Sequence, residues 1–181
     1  MRLPLTFLAA AVAASVPALE APAQPPAKAA SGLGILAELT GEWDGEAWMI
    51  RGPEGRATYR QREWVTLAAG GTVITVIGRG THRLPDGTDR VIHDAFAVIH
   101  RNRENTGIAM RAFTAEGHWL DPEIQLQERG YLWSMTDPRI GMIRYDMQID
   151  DQGRWVEKGL LSRDSGKTWM QFMEMTLRRV K

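Results

Sequence analysis

Ten short segments rich in β-branched and aromatic residues follow one another through this chain, separated by turn signals and with no crossover helix between them. They cover residues 42–50, 56–66, 72–80, 90–100, 106–115, 123–128, 131–136, 140–150, 154–162 and 168–180. A parallel pair of strands needs a long crossover connection, whereas antiparallel neighbours need only a tight turn. A βαβ sheet is therefore excluded, and a sandwich or an up-and-down barrel is left. The barrel is favoured because closure removes exposed strand edges. The expected fold is all-β: one up-and-down antiparallel β-barrel of about ten strands. Leu33, Ile35, Leu36 and Leu39 have helical spacing and predict a short N-terminal helix leading into Thr40 and Gly41.

The 181 residues leave room for one such domain, expected over residues 33–181. Residues 1–23 read as a signal peptide. Arg2 supplies the positive start, residues 3–16 an apolar stretch, and Ala18, Ala21 and Ala23 the small residues that a signal peptidase accepts, with cleavage expected after Ala18 or Ala23. Residues 24–32, rich in Ala, Pro and Gln, continue as a flexible leader. The chain is thus expected to be exported, periplasmic or secreted, with no further segment apolar enough to span a membrane as a helix. It has no cysteine, so packing alone must stabilise it. Lys+Arg and Asp+Glu each number 22, which argues against nucleic acid as a partner. His82, His93, His100 and His118 are scattered without ligand spacing, so neither metal nor cofactor is expected.

The last third of the chain can be paired residue by residue. Gly153 occupies the third position of the loop 151–153, where a three-residue hairpin takes a left-handed glycine, and this sets Asp150 opposite Arg154. Asp146 then meets Lys158 on the outer face. The inner face joins Ile149 with Trp155, Met147 with Glu157, Tyr145 with Gly159, and Ile143 with Leu161. A one-residue slip would oppose Asp146 and Glu157, two like charges. Carried forward, the same phase puts Trp169, Gln171, Met173, Met175 and Leu177 inside; carried back, it puts Tyr131, Trp133 and Met135 there. Met142 and Met170 fall outside.

Gly41-Glu42-Trp43 at the head of the first strand, the short helix before it and Arg178-Arg179 at the end of the last make the chain resemble the calycin superfamily of lipocalin-like barrels. That resemblance implies a structural closure, with Trp43 sealing the barrel bottom and Arg179 covering it through a cation–π contact. The run from Gly141 through Tyr145, Trp155 and Glu157 to Trp169 looks like bacterial exported lipocalin-like domains of unassigned function, which implies a fold and no activity. The chain is more distantly similar to nitrobindin, a haem-binding barrel. The haem histidine of that family lies on the C-terminal strand, where this chain has Met173, Glu174 and Met175. Residues 162–169 also match the Asp-box, Ser-x-Asp-x-Gly-x-Thr-Trp, of sialidase-type propellers. A propeller needs such units repeated and this chain has one, so Asp164, Gly166 and Trp169 are read as a structural turn.

Glu157 departs from the apolar inner face. Burial there would raise its pKa unless a partner satisfies it, and Arg60, Arg111, Tyr59 and His93 are the candidates from strands whose phase the sequence leaves open. As a polar anchor in an apolar pocket, Glu157 would fix one end of a small ligand, with Tyr131, Trp133, Tyr145, Gln171 and Met173 lining the site. The expected function is an exported binding protein for a small, mainly apolar or amphipathic molecule held inside the barrel. Two alternatives stand beside it. One is an enzyme with Glu157 as general acid or base, for which no nucleophile motif exists. The other is a filled barrel acting through its surface or as a homodimer.

Overall fold

The computed structural model describes residues 33–181; the expected signal peptide and leader lie outside the described residues. Eleven strands form one sheet: β1 (Gly41–Ile50), β2 (Arg56–Ala68), β3 (Val73–Arg83), β4 (Asp89–Arg101), β5 (Ile108–Thr114), β6 (Trp119–Leu120), β7 (Glu123–Gln127), β8 (Gly130–Asp137), β9 (Gly141–Ile149), β10 (Trp155–Ser162) and β11 (Met170–Arg179). Their order is β6-β5-β4-β3-β2-β1-β11-β10-β9-β8-β7. Each of the ten expected segments is a strand, and β6 is additional. Every ladder is antiparallel, including the one that joins the first strand to the last and sets Trp43 opposite Arg179.

The two ends of this sheet fall in the middle of the chain, at β6 and β7. The sheet curls until β5 lies beside β7, but among the described residues no backbone ladder joins the two ends. The architecture is therefore a curled half-barrel of eleven strands, not the closed ten-strand barrel expected. The seam lies where pairing is poorest: β6 has two residues and β7 five, and Pro122 between them has no N–H to give to a ladder.

The expected N-terminal helix is a single six-residue 3-10 segment, Gly34–Leu39. Its buried side chains explain why. Leu33, Leu36 and Leu39 recur every third residue, which is the repeat of a 3-10 turn and lines all three up on one side. They pack with Trp43, Val65, Trp155 and Leu177 into the apolar plug of one end of the sheet. Full burial of each leucine contributes about 1.5–3 kcal/mol. Trp43 and Trp155 meet edge to face at 5.7 Å, and the Trp43 indole N–H donates to the Leu39 carbonyl at 2.8 Å. The Arg179 guanidinium covers Trp43 at 4.3 Å from the ring centroid. It also donates to the carbonyls of Thr40 and Glu38. One arginine thus ties the last strand to both the 3-10 segment and the first strand.

The expected register of the β9–β10 hairpin is observed at every pair, including Glu157 with Met147 and Lys158 with Asp146. Gly153 has φ 69°, and Arg154 and Asp150 pair at 2.7 Å. The 162–169 segment is a turn held by Asp164. Its carboxylate accepts from the Thr168 backbone N–H at 2.9 Å and the Thr168 hydroxyl at 2.6 Å, while Gly166 takes φ 88° and Trp169 donates to the Gly166 carbonyl.

The phase carried forward into β11 needs one correction. The β10–β11 ladder shifts register between Gly159 and Leu160, so Gly159 faces Met173 but Leu160 faces Gln171. Met173, Met175 and Leu177 stay inside, as expected. Before the shift the alternation is inverted. Phe172 lines the interior, and Gln171 donates instead to Glu174 at 2.7 Å, away from the cavity. Trp169 is likewise not inside; the Arg144 guanidinium lies over its ring. A bulge adds one residue and turns every side chain beyond it to the other face.

Candidate functional site

A cavity of about 400 Å³ occupies the concave side of the sheet. Its wall is mainly apolar and aromatic, built from Met, Phe, Ile and Ala side chains together with Tyr59, Tyr131, Trp133 and Tyr145. Of the six residues expected to bind a ligand, five lie in that wall: Tyr131, Trp133, Tyr145, Glu157 and Met173. Gln171 does not, for the reason just given. Trp133 and Tyr145 are cross-strand partners. Their rings stack at 4.0 Å, with Phe172 edge-on to Tyr145 at 5.7 Å.

Glu157 is buried as expected, but by none of the cationic partners considered. Its carboxyl accepts from two indoles, Trp155 Nε1 at 3.1 Å and Trp133 Nε1 at 3.4 Å. Arg60 is on the outer face, where it and Arg62 hold Asp44 at 2.6 Å each. Arg111 pairs with Asp121 at 2.6 Å. Tyr59 and His93 do line the cavity. Two neutral donors offset only part of the desolvation of a carboxylate, and burial pushes Glu157 up to about 7.

A second acid was not foreseen. Glu63 on β2 is buried in the same wall, and burial pushes it up to about 8, with the charge of Glu157 adding to the shift. Gln61, two residues earlier on the same face, donates to Glu63 Oε1 at 2.7 Å. The Gln61 carbonyl oxygen is buried and has no hydrogen-bond partner. Space for these side chains comes from the neighbouring strand, where Gly80 faces Gln61 and Gly78 faces Glu63. A Cβ on Gly78 would stand 2.8 Å from Glu63 Oε1, and one on Gly80 2.8 Å from Gln61 Oε1. Two glycines at alternate positions of a strand are the sequence signal for this pocket, because they clear one face of the sheet for bulkier neighbours.

The remaining titratable groups respond to the same environment. Burial raises the Tyr59 phenol to about 12, and the nearby charges of Glu157 and Glu63 push in the same direction. Tyr131 and Tyr145 are raised by burial first and by Glu157 second. His93 is pushed down by burial, against the opposing pull of Asp94 and Glu116. Among the described residues no lysine or arginine lines the cavity.

Along the seam runs a second, shallower hollow of about 650 Å³, lined by His100, Arg111, Asp121 and Pro122 among others. Met110 and Phe113 line both hollows, so at the seam they separate the cavity from the outer hollow. Among the described residues no group of His, Asp and Glu side chains comes together as a metal site requires. No helix there is long and apolar enough to cross a membrane.

A haem, the group that the distant similarity to nitrobindin implies, does not fit these residues. His93 is the one histidine in the cavity wall, and it comes from β4; β11 offers Met173 and Met175. The acidic wall would also oppose the propionates of a haem.

These observations define a protein of the β-barrel kind, with a curled antiparallel sheet around an acidic, aromatic-lined cavity. Its fold is similar to the crystal structure of Rv2717c from M. tuberculosis, with a TM-score of 0.59 at 12% identity, over 84% of this chain and 99% of that one. At that identity the likeness speaks for the fold alone. No family model matches the sequence, and no curated protein matches it either.

Proposed function

We propose that this chain is an exported, lipocalin-like binding protein that holds one small, mainly apolar molecule in the cavity of its curled sheet. The observation that carries the reading is the cavity: about 400 Å³ of apolar and aromatic wall around a few buried polar groups. Small-molecule sites generally have that composition. The cation–π lid of Arg179 on Trp43 supports the lipocalin-like part of the proposal. Export rests on the sequence of residues 1–23.

A neutral solvatochromic dye such as Nile red tests this. One dye per chain should bind with blue-shifted emission. Ala97→Phe, which fills the cavity wall, should abolish that binding without lowering the melting temperature by more than a few degrees. Absence of dye binding, or binding that ignores Ala97→Phe, would overturn the proposal.

A second reading, catalysis by proton transfer, is favoured by the elevation of Glu157 to about 7, where a carboxyl can both give and take a proton at neutral pH. A ligand that copurifies chemically unchanged speaks for binding; one recovered as a product speaks for catalysis.

A further inference from the structure

The carboxyls of Glu63 and Glu157 and the Gln61 carbonyl oxygen leave room in the cavity wall for a further hydrogen-bond donor. Glu63 has Gln61 Nε2 as its side-chain donor, and Glu157 has two indole N–H groups, one of them at 3.4 Å. The Gln61 carbonyl oxygen is 2% exposed by residue and accepts nothing. Among the described residues no lysine or arginine enters the wall; Arg60, Arg62 and Arg111 are turned outward onto Asp44 and Asp121. The rings of Trp133, Tyr145 and Tyr59 share this wall, and aromatic rings attract positive charge through their quadrupoles. Two carboxyls, an unpartnered amide oxygen and an aromatic wall make a site for a cation that carries N–H groups.

We propose that the ligand is an apolar primary or secondary amine, bound as its ammonium ion by Glu157, Glu63 and Gln61 Oε1, with its hydrocarbon part against the Met and Phe side chains of the wall. The inference rests on the proposed function and names the ligand class for the same cavity. An anionic or uncharged apolar ligand is disfavoured by the same wall. An anion meets two acids and, among the described residues, no lysine or arginine, and a neutral ligand leaves the buried acids as they are.

Binding of an ammonium ion should be linked to protons. The titratable groups that interact with Glu157 are Tyr59 and Glu63 on β2, Tyr131 on β8, Tyr145 on β9 and, from the outer face of β9, Asp146; His93 on β4 lines the same cavity. The tyrosines stay neutral below their raised pKa values, so the two glutamic acids are the groups that supply charge. The empty site holds protons on them near neutrality, and entry of the cation releases one or both. Affinity for the amine should therefore rise between about pH 6 and pH 8, the interval in which Glu157 and Glu63 lose their protons.

Three ligands of one shape decide the matter: phenylbutylamine, phenylbutanol and phenylbutyrate, titrated by calorimetry at pH 6 and pH 8. The amine should bind at least about tenfold more tightly than the alcohol at pH 8. Its observed enthalpy should change with the ionisation enthalpy of the buffer, which reports the released proton, and phenylbutyrate should not bind. Glu157→Gln should remove the preference for the amine and leave the alcohol affinity unchanged. If that variant does not fold, Glu63→Gln and the ranking of the three ligands on the unaltered protein serve in its place. Alcohol bound as tightly as the amine, or butyrate bound best, would overturn the ammonium assignment and leave the cavity-binding function standing. Failure of all three ligands overturns the ammonium assignment as well. If Nile red also fails to bind, the proposed function falls with it.

Discussion

Glu63 makes the protein less stable as the pH rises, and the size of the effect follows from its burial. In the unfolded chain a glutamic acid loses its proton near 4.5; in the folded protein Glu63 keeps it to about 8. Between those values the unfolded chain has released a proton that the folded one retains, so raising the pH draws the equilibrium toward unfolding. Stability is full below pH 4.5, declines through the interval and levels off above 8. At about 1.4 kcal/mol for each pH unit, the loss from Glu63 alone approaches about 5 kcal/mol. This is a large part of the roughly 5–15 kcal/mol that holds an ordinary domain together.

Glu63→Gln removes the proton that matters while preserving the carbonyl that accepts from Gln61 Nε2. At pH 5, where Glu63 is protonated in the folded state, the variant should lie within about 1 kcal/mol of the parent. At pH 8.5 it should be the more stable by roughly 3–5 kcal/mol. Urea denaturation followed by tryptophan fluorescence at pH 5, 6.5 and 8.5 measures both curves. His93, lowered by burial, titrates in the opposite sense below 6.5, but it is present in both proteins and cancels in the difference. A parent protein as stable at pH 8.5 as at pH 5, or a variant whose stability falls just as steeply, would refute the burial argument.

Two further perturbations probe the ends of the fold. Arg179→Lys keeps the charge but loses the planar fork that covers Trp43 and reaches the Thr40 and Glu38 carbonyls, and urea melts should show a loss of about 1 kcal/mol. Asp164 has its pKa lowered to about 2, chiefly by the Thr168 hydroxyl and backbone N–H. It contributes stability above 3.8 that is lost as the pH falls through 2, so Asp164→Ala should melt below the parent at pH 6 and converge with it near pH 2 in thermal scans.

How much of this was legible in the sequence differs along the chain for physical reasons. Around Glu157 the register was legible, though not the two indoles that hold its carboxyl, because Gly153 fixes a turn and the charges of Asp146, Asp150, Arg154 and Lys158 reject the neighbouring register. Beyond Gly159 it failed, since a bulge has no residue signature here and inverts the phase that placed Gln171 and Trp169 inside. On β2 both faces alternate polar residues, Arg60 and Arg62 with Gln61 and Glu63, so period-two patterning could not say which pair faced inward. Gly78 and Gly80 held that information, but as a property of the adjacent strand. Closure was overestimated for a related reason. Local pairing rules favour a strand at residues 123–128, while whether its free side finds a partner depends on β6, which is only two residues long.

The two acids also show that the site belongs to the curvature of the sheet and not to any one strand. Between β2 and β10 lie β1 and β11, so in a flat sheet Glu63 and Glu157 would stand about 14 Å apart at the strand spacing of such sheets. Curling brings their side chains into one cavity wall, where the charge of Glu157 makes ionisation of Glu63 harder. A leucine at position 157 would pack against Met147 and Met175, and one at position 63 beside Trp43, without desolvating a carboxyl, and a wall chosen for stability alone would hold one. The chain instead places two acids in apolar surroundings, adds an amide oxygen with nothing to accept, and clears the space with two glycines. Local choices that oppose stability in this way gather at functional sites. Here they share one cavity wall, and an incoming hydrogen-bond donor of positive charge is the addition that would answer all of them.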